Sequence, residues 1–143
     1  MNKSIKTKIR SLLEKNDKIV FALFFGSVAT GRENKLSDVD IGIYFNQNVE
    51  LLEIGKISAE LEKITGKNID LVLLKDLYKR KPTFANEIVK KSELIFSRDD
   101  EKYVEFKKMT LLYYLDTQPL RKKFRENLSR RIDENKLGKL NQL

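Results

Sequence analysis

The sequence predicts an α+β domain in which a small mixed β-sheet is flanked by helices. Four short apolar segments have the character of strands, and helical patterns surround them in the order α-β-β-α-β-α-β-α-α. The chain has 143 residues, of which 41% are hydrophobic and 35% are charged. That is enough apolar material for one core beneath a densely charged surface. We expect one domain over residues 1–143, with residues 98–143 forming a helical C-terminal extension.

The first half of the chain contains two predicted strands. Apolar residues at helical spacing predict a helix over residues 4–16. Ile19 to Phe25 is a continuous apolar run rich in β-branched and aromatic residues, which predicts a buried strand that stops at Gly26. A loop or short helix is expected over 27–36. Alternating apolar residues then predict a strand over 38–45.

The second half contains two more strands, each preceded by a helix. An apolar stripe predicts a helix over 49–65 with Gly66 as its C-cap, and a strand is expected over 68–74. Pro82 suits the first turn of a helix that runs to about residue 91. A short fourth strand is expected over 93–97.

The C-terminal extension is predicted to contain two helices. The acidic residues at 99–101 are typical of a helix start, and this helix is expected to run to about Leu115. We expect a break over 116–119, and then a basic helix over roughly 119–135.

Histidine and cysteine are both absent, which excludes several kinds of site. Without histidine, the commonest general base and the usual zinc ligand are missing. Catalysis would therefore use carboxylates, hydroxyls, lysines, arginines and a hard metal ion such as Mg²⁺. The lack of disulfides, of a secretory signal and of any run near the ~20 apolar residues of a membrane span leads us to expect a cytoplasmic protein.

The net charge of +8 is concentrated at the two ends of the chain. Residues 1–20 carry six basic and two acidic side chains, and residues 98–143 carry twelve and eight. Two interpretations stay open: solvated helix faces, or an electrostatic surface for an acidic partner or nucleic acid. No RNA-binding motif accompanies this charge, so nucleic acid is not expected to be the main partner.

Three aspartates form the strongest candidate site. Asp38 and Asp40 are two residues apart on a predicted strand, so their side chains point to the same face. Mg²⁺ typically binds one or two carboxylates together with substrate phosphates. Asp70 interrupts an otherwise apolar run, and two interpretations are open: it is a surface residue at a strand end, or it faces the same cleft because strand 68–74 lies beside strand 38–45.

A glycine and a serine end the first predicted strand. Gly26 lets the backbone approach a phosphate closely, and Ser27 offers a hydroxyl and an amide N–H. Such a pair alone more often marks only a turn. The Gly-Lys-Ser/Thr ending of a P-loop is absent.

Gly26-Ser27, ten residues, and then Asp38-Val39-Asp40 resembles the signature of the polymerase-β-like nucleotidyltransferase superfamily. The sequence of residues 37–41, Ser-Asp-Val-Asp-Ile, resembles the corresponding segment of the minimal nucleotidyltransferases, the antitoxin halves of HEPN–MNT toxin–antitoxin modules. The resemblance extends to Asp70 in its apolar strand.

The resemblance implies a polymerase-β-like fold with a helical C-terminus, and a role for each of these residues. Gly26 and Ser27 would hold the triphosphate, and Asp38 and Asp40 would bind Mg²⁺. Asp70 would complete the metal site and help to deprotonate the acceptor hydroxyl. The implied activity is transfer of AMP from ATP to a tyrosine of a partner HEPN-domain ribonuclease toxin. This transfer would silence the toxin.

The sequence departs from many relatives just after the serine. Where they carry arginines, this chain has Val28, Ala29 and Thr30, so Arg32 and Lys35 are the candidates to neutralise the triphosphate. Two alternatives also remain: a non-catalytic antitoxin that acts by binding the toxin, and a nucleotidyltransferase for a small-molecule or nucleic-acid acceptor.

Overall fold

A computed structural model of the protein describes residues 1–31 and 38–117. Its elements, in chain order, are α1 (Lys3–Glu14), β1 (Ile19–Phe25), α2 (Ser27–Thr30), β2 (Val39–Phe45), α3 (Leu51–Thr65), β3 (Ile69–Leu73), α4 (Leu77–Arg80), α5 (Pro82–Lys90) and β4 (Glu93–Ser97), followed by α6 over residues 100–117.

The four strands form one mixed sheet in the order β3-β2-β1-β4. β1 is antiparallel to both of its neighbours, whereas β2 and β3 are parallel. All seven residues of β1 are buried, which explains why its sequence is apolar without alternation. The predicted α+β class with a small mixed sheet is confirmed.

Helices cover both faces of the sheet. On one face, α1 and α3 bury Ile9, Leu13, Ile57 and Leu61 against the strands. On the other face, α4, α5 and α6 contribute a second set of buried residues, namely Leu77, Ala85, Ile88 and Phe106. Residues 38, 40, 42 and 44 alternate with the apolar side chains that face α1 and α3, so they point toward the α4–α6 face.

Local hydrogen bonds explain several helix ends. Asn2 caps α1 by accepting a hydrogen bond from the Ser4 N–H at 2.7 Å. Asp99 accepts from the N–H groups of Glu101 and Lys102 at 3.1 and 3.3 Å, which confirms the acidic start of the helix that follows. Gly66 ends α3 with φ +68°, as predicted.

One prediction about the helices is wrong, and one helix was not predicted. The predicted break over 116–119 is not seen at 116 and 117, because α6 continues through both residues. The Thr117 hydroxyl donates to the Tyr114 carbonyl at 2.9 Å, so this polar side chain is accommodated within the helix. The short helix α4 was not predicted.

Some predictions fall outside the described residues, namely those for the basic helix over 119–135, for the end of the segment 27–36, and for Arg32 and Lys35. Within the described ranges, none of the helices is long and apolar enough to cross a membrane.

Candidate active site

The parallel pairing of β2 with β3 brings two of the three aspartates side by side. Asp40 and Asp70 are register partners in this pair, so their backbones are about 4.8 Å apart and their side chains share one face. The pairing extends between two hydrogen bonds of 2.9 Å, from Val39 N–H to the Asn68 carbonyl and from Leu74 N–H to the Ile43 carbonyl. β3 therefore lies beside β2, which is the arrangement that allows Asp70 to face the same cleft as Asp40.

Asp38 joins this pair through its charge. It is exposed and immediately precedes β2, while Asp40 is half-buried. Burial raises the pKa of Asp40, and the charges of Asp70 and then Asp38 raise it further. The charges of Asp70 and Asp38 therefore reach the Asp40 carboxylate. In residues 1–31 and 38–117, however, no three acidic side chains converge on a common coordination point.

Gly26 brings the end of β1 against this carboxylate pair. Phe25, the residue before it, is the register partner of Asp40 across the β1–β2 ladder. A Cβ atom built on Gly26 would lie 2.2 Å from Oδ2 of Asp40, and Gly26 has φ +70° and ψ −144°. Both the backbone conformation and the close approach require glycine. The Asp40 carboxylate thus lies directly over the Cα of Gly26.

Ser27 begins the short helix α2 beside this contact. The helix is fixed by Thr30, whose N–H and hydroxyl both donate to the Gly26 carbonyl at 3.2 Å. Ser27 is half-buried, and within the described residues its hydroxyl has no hydrogen-bond partner, which leaves it available to a ligand. Gly26, Ser27, Asp40 and Asp70 therefore meet at one end of the sheet, with Asp38 at its rim.

The opposite end of the sheet holds a different kind of cavity. It has a volume of about 330 Å³ and is lined by Gln47, Asn48, Lys75, Asp76 and Arg80, together with apolar residues. It contains one carboxylate and two cations, so it lacks the paired acids of the Gly26–Asp40 end. Every described residue that the sequence predicts for the site lies at the Gly26–Asp40 end.

An aromatic pair beside Gly26 was not singled out from the sequence. Phe84 of α5 packs edge-on against Phe25, with 6.2 Å between ring centroids and 78° between ring planes. Phe84 is 39% exposed. An aromatic residue in an amphipathic helix normally indicates core packing, so only the assembled structure reveals this exposed ring.

Comparison with known protein families gives a direct match to this part of the chain. The family model described as polymerase beta, nucleotidyltransferase matches residues 7–101, a range that contains all five described site residues. The chain belongs to this nucleotidyltransferase family.

Two curated relatives come from Methanocaldococcus jannaschii, and both are named as protein adenylyltransferases. One is 33% identical over 74 residues, which span 52% of this chain and 78% of the relative. Another is 33% identical over 92 residues, which span 63% of this chain and 85% of the relative. The nucleotidyltransferase family expected from the sequence is thereby confirmed, and its curated relatives carry the name of protein adenylyltransferases.

Solved structures with the same fold include toxin–antitoxin complexes. A chain of a toxin–antitoxin crystal structure with AMP-PNP has a TM-score of 0.72 at 20% identity, with 87% of this chain and 98% of that chain covered. A chain from a complex of tri-AMPylated HEPN toxin of Shewanella oneidensis with MNT antitoxin has a TM-score of 0.70 at 18% identity, with 90% and 99% covered. At these identities the likeness establishes the shared fold.

Proposed function

We propose that this nucleotidyltransferase transfers AMP from ATP to a tyrosine hydroxyl of a partner HEPN ribonuclease, and so serves as the antitoxin of a cytoplasmic toxin–antitoxin pair. One observation carries the proposal: Asp40, the register partner of Asp70, places its carboxylate against the close-approach glycine, Gly26. The names of the adenylyltransferase relatives and of the HEPN–MNT complexes support the choice of acceptor.

The residues at this end of the sheet suit a magnesium ion. The three carboxylates do not converge on one point in the described structure, so we propose that the ion itself would draw Asp38, Asp40 and Asp70 together, because carboxylate oxygens are the ligands that Mg²⁺ prefers. The pKa of Asp40 is raised by burial and by the neighbouring carboxylates, so a nearby positive charge would stabilise its ionised form. When bound, Mg²⁺ would neutralise charge on the triphosphate and on the departing pyrophosphate.

The chain's own residues would position the substrates. Gly26 allows the triphosphate to approach the backbone, and the Ser27 hydroxyl donates a hydrogen bond to a phosphate oxygen. Arg32 and Lys35 are proposed to add positive charge there. Most of the rate would come from this positioning and charge neutralisation.

The transfer itself would be an in-line displacement. The tyrosine oxygen forms a bond to the α-phosphorus of ATP, and the bond from that phosphorus to the bridging α–β oxygen breaks. Its electron pair leaves with pyrophosphate. Asp70 accepts the proton of the tyrosine hydroxyl, acting as general base.

The test is to combine the chain with Mg²⁺, ATP labelled at the α-phosphate, and the product of the adjacent gene, which the proposal requires to be a HEPN protein. We expect label on a tyrosine of the partner, and we expect Asp40→Asn and Asp70→Asn to abolish it. Asp17→Asn is the matched control, since Asp17 is an exposed acid in the turn between α1 and β1.

Two outcomes would count against the proposal. If the unchanged chain, folded and bound to its partner, incorporates no label, the adenylyltransferase activity is wrong. If Asp40→Asn still protects cells from the toxin, neutralisation occurs by binding and the catalytic account of the antitoxin is wrong.

A further inference from the structure

Phe84 places an exposed aromatic ring beside the carboxylate site. It lies in the first turn of α5, and its ring is held in an edge-to-face contact by Phe25. Phe25 is 9% exposed, whereas Phe84 is 39% exposed. Phe25 immediately precedes Gly26 and is paired in register with Asp40. The Phe84 ring packs against Phe25, so it lies beside the proposed phosphate site at Gly26 and Ser27.

The other aromatic residues on this face are already packed. Phe21 and Tyr44 stack with their ring centroids 4.9 Å apart, and Tyr103 and Phe106 contact Phe21 at 5.1 and 5.6 Å. Among the described residues, Phe84 is therefore the aromatic side chain that adjoins Gly26 and still presents substantial ring surface to solvent.

We propose that Phe84 is the stacking platform for the base of the bound nucleotide. The inference rests on the proposed function, because it places the triphosphate at Gly26 and Ser27. A nucleotide held there by its phosphates must place its base to one side of the carboxylates, and the Phe25–Phe84 side offers an apolar, oriented surface. Stacking uses the π-face that every base has, so Phe84 supplies affinity for the base without identifying it.

The experiment compares two ligands that share their phosphates. Calorimetry with Mg²⁺ would give the dissociation constants of ATP and of inorganic tripolyphosphate for the full chain and its variants. Phe84→Ala should weaken ATP binding by roughly 5- to 150-fold, the loss expected for one base–aromatic stack. Tripolyphosphate binding should stay unchanged, and Phe84→Tyr should restore ATP binding because it keeps the aromatic ring.

Leu73→Ala provides the matched control. Leu73 has a similar exposed fraction, 40%, but lies on β3 beside the cavity at the opposite end of the sheet, so its removal should leave both dissociation constants unchanged. Thermal unfolding of each variant would confirm that it is folded.

The outcomes separate the two proposals. If the unchanged chain binds ATP and Phe84→Ala binds it equally well, the stacking role is wrong while the proposed function stands. If Phe84→Ala weakens ATP and tripolyphosphate equally, Phe84 supports the structure rather than the base, and the stacking role is again wrong. If the unchanged chain does not bind ATP, the proposed function fails and the inference fails with it.

Discussion

Substitution of Gly26 by alanine should disable the active centre through two separate effects. The new Cβ would lie 2.2 Å from Oδ2 of Asp40, whereas ordinary contact begins at 3.4 Å, so the carboxylate must move by about 1.2 Å. A misplacement of about 1 Å at a reacting centre costs on the order of 100-fold in rate. The backbone conformation of Gly26 adds about 1–3 kcal/mol of strain for any other residue.

The assay is AMP transfer to the partner protein at saturating ATP, with thermal unfolding measured in parallel. We expect kcat of Gly26→Ala to fall about 100-fold while the protein remains folded. Gly66→Ala is the control, because Gly66 has a similar φ of +68° and no heavy atom within 4 Å of a built Cβ. It should lose about 1–2 kcal/mol of stability from the left-handed backbone and keep its transfer rate.

The displacement of Asp40, rather than backbone strain, should account for the lost rate. A Gly26→Ala variant that turns over like the unchanged chain would refute it. So would equal losses of rate in Gly26→Ala and Gly66→Ala, because strain alone would then account for both results.

Two further predictions concern stability. Because burial and the charges of Asp70 and Asp38 raise the pKa of Asp40, the folded state favours its uncharged form. Without divalent cations, Asp40→Asn should therefore raise the melting temperature at pH 7. This increase in melting temperature should vanish as the pH falls through the raised pKa of Asp40, because the native carboxyl then becomes uncharged as well. An unchanged or lower melting temperature at pH 7 would contradict the prediction. Phe21→Ala removes a fully buried ring at the centre of the sheet and should cost about 3–5 kcal/mol in urea unfolding, whereas Val104→Ala, 56% exposed, should change stability by less than about 0.5 kcal/mol.

The strands were predictable because their sequence patterns reflect burial directly. β1 and β4 occupy the residues that the sequence predicts, and β2 begins one residue later than predicted, at Val39. The patterns are this informative because a strand buried on both faces is apolar throughout and a half-buried strand alternates. Helix α4 has four residues, too few to show a helical period. It begins after Asp76, whose φ of +60° is unusual for a residue other than glycine, so composition gives no sign of it.

The site was predictable as a set of residue types but not as an arrangement. The spacing of Asp38 and Asp40 follows from strand geometry, while the pairing of Asp40 with Asp70 depends on the parallel register of two strands that are separated by α3. The approach of Gly26 to Asp40 depends on the β1–β2 register in the same way. Phe84 was missed because a helical pattern shows which positions are apolar but not which of them the neighbouring elements leave uncovered.

Gly26 and Asp70 are held by strands that differ in burial and in their position in the sheet. Gly26 follows the fully buried central strand, whereas Asp70 lies on an edge strand that is paired on one side only and is partly exposed along its length. Edge strands open locally at a lower free energy than the core. Amide hydrogens of β3 should therefore exchange with solvent before those of β1. Mild heating should separate Asp70 from Asp40, and so abolish the proposed AMP transfer, at temperatures where the rest of the sheet is still intact.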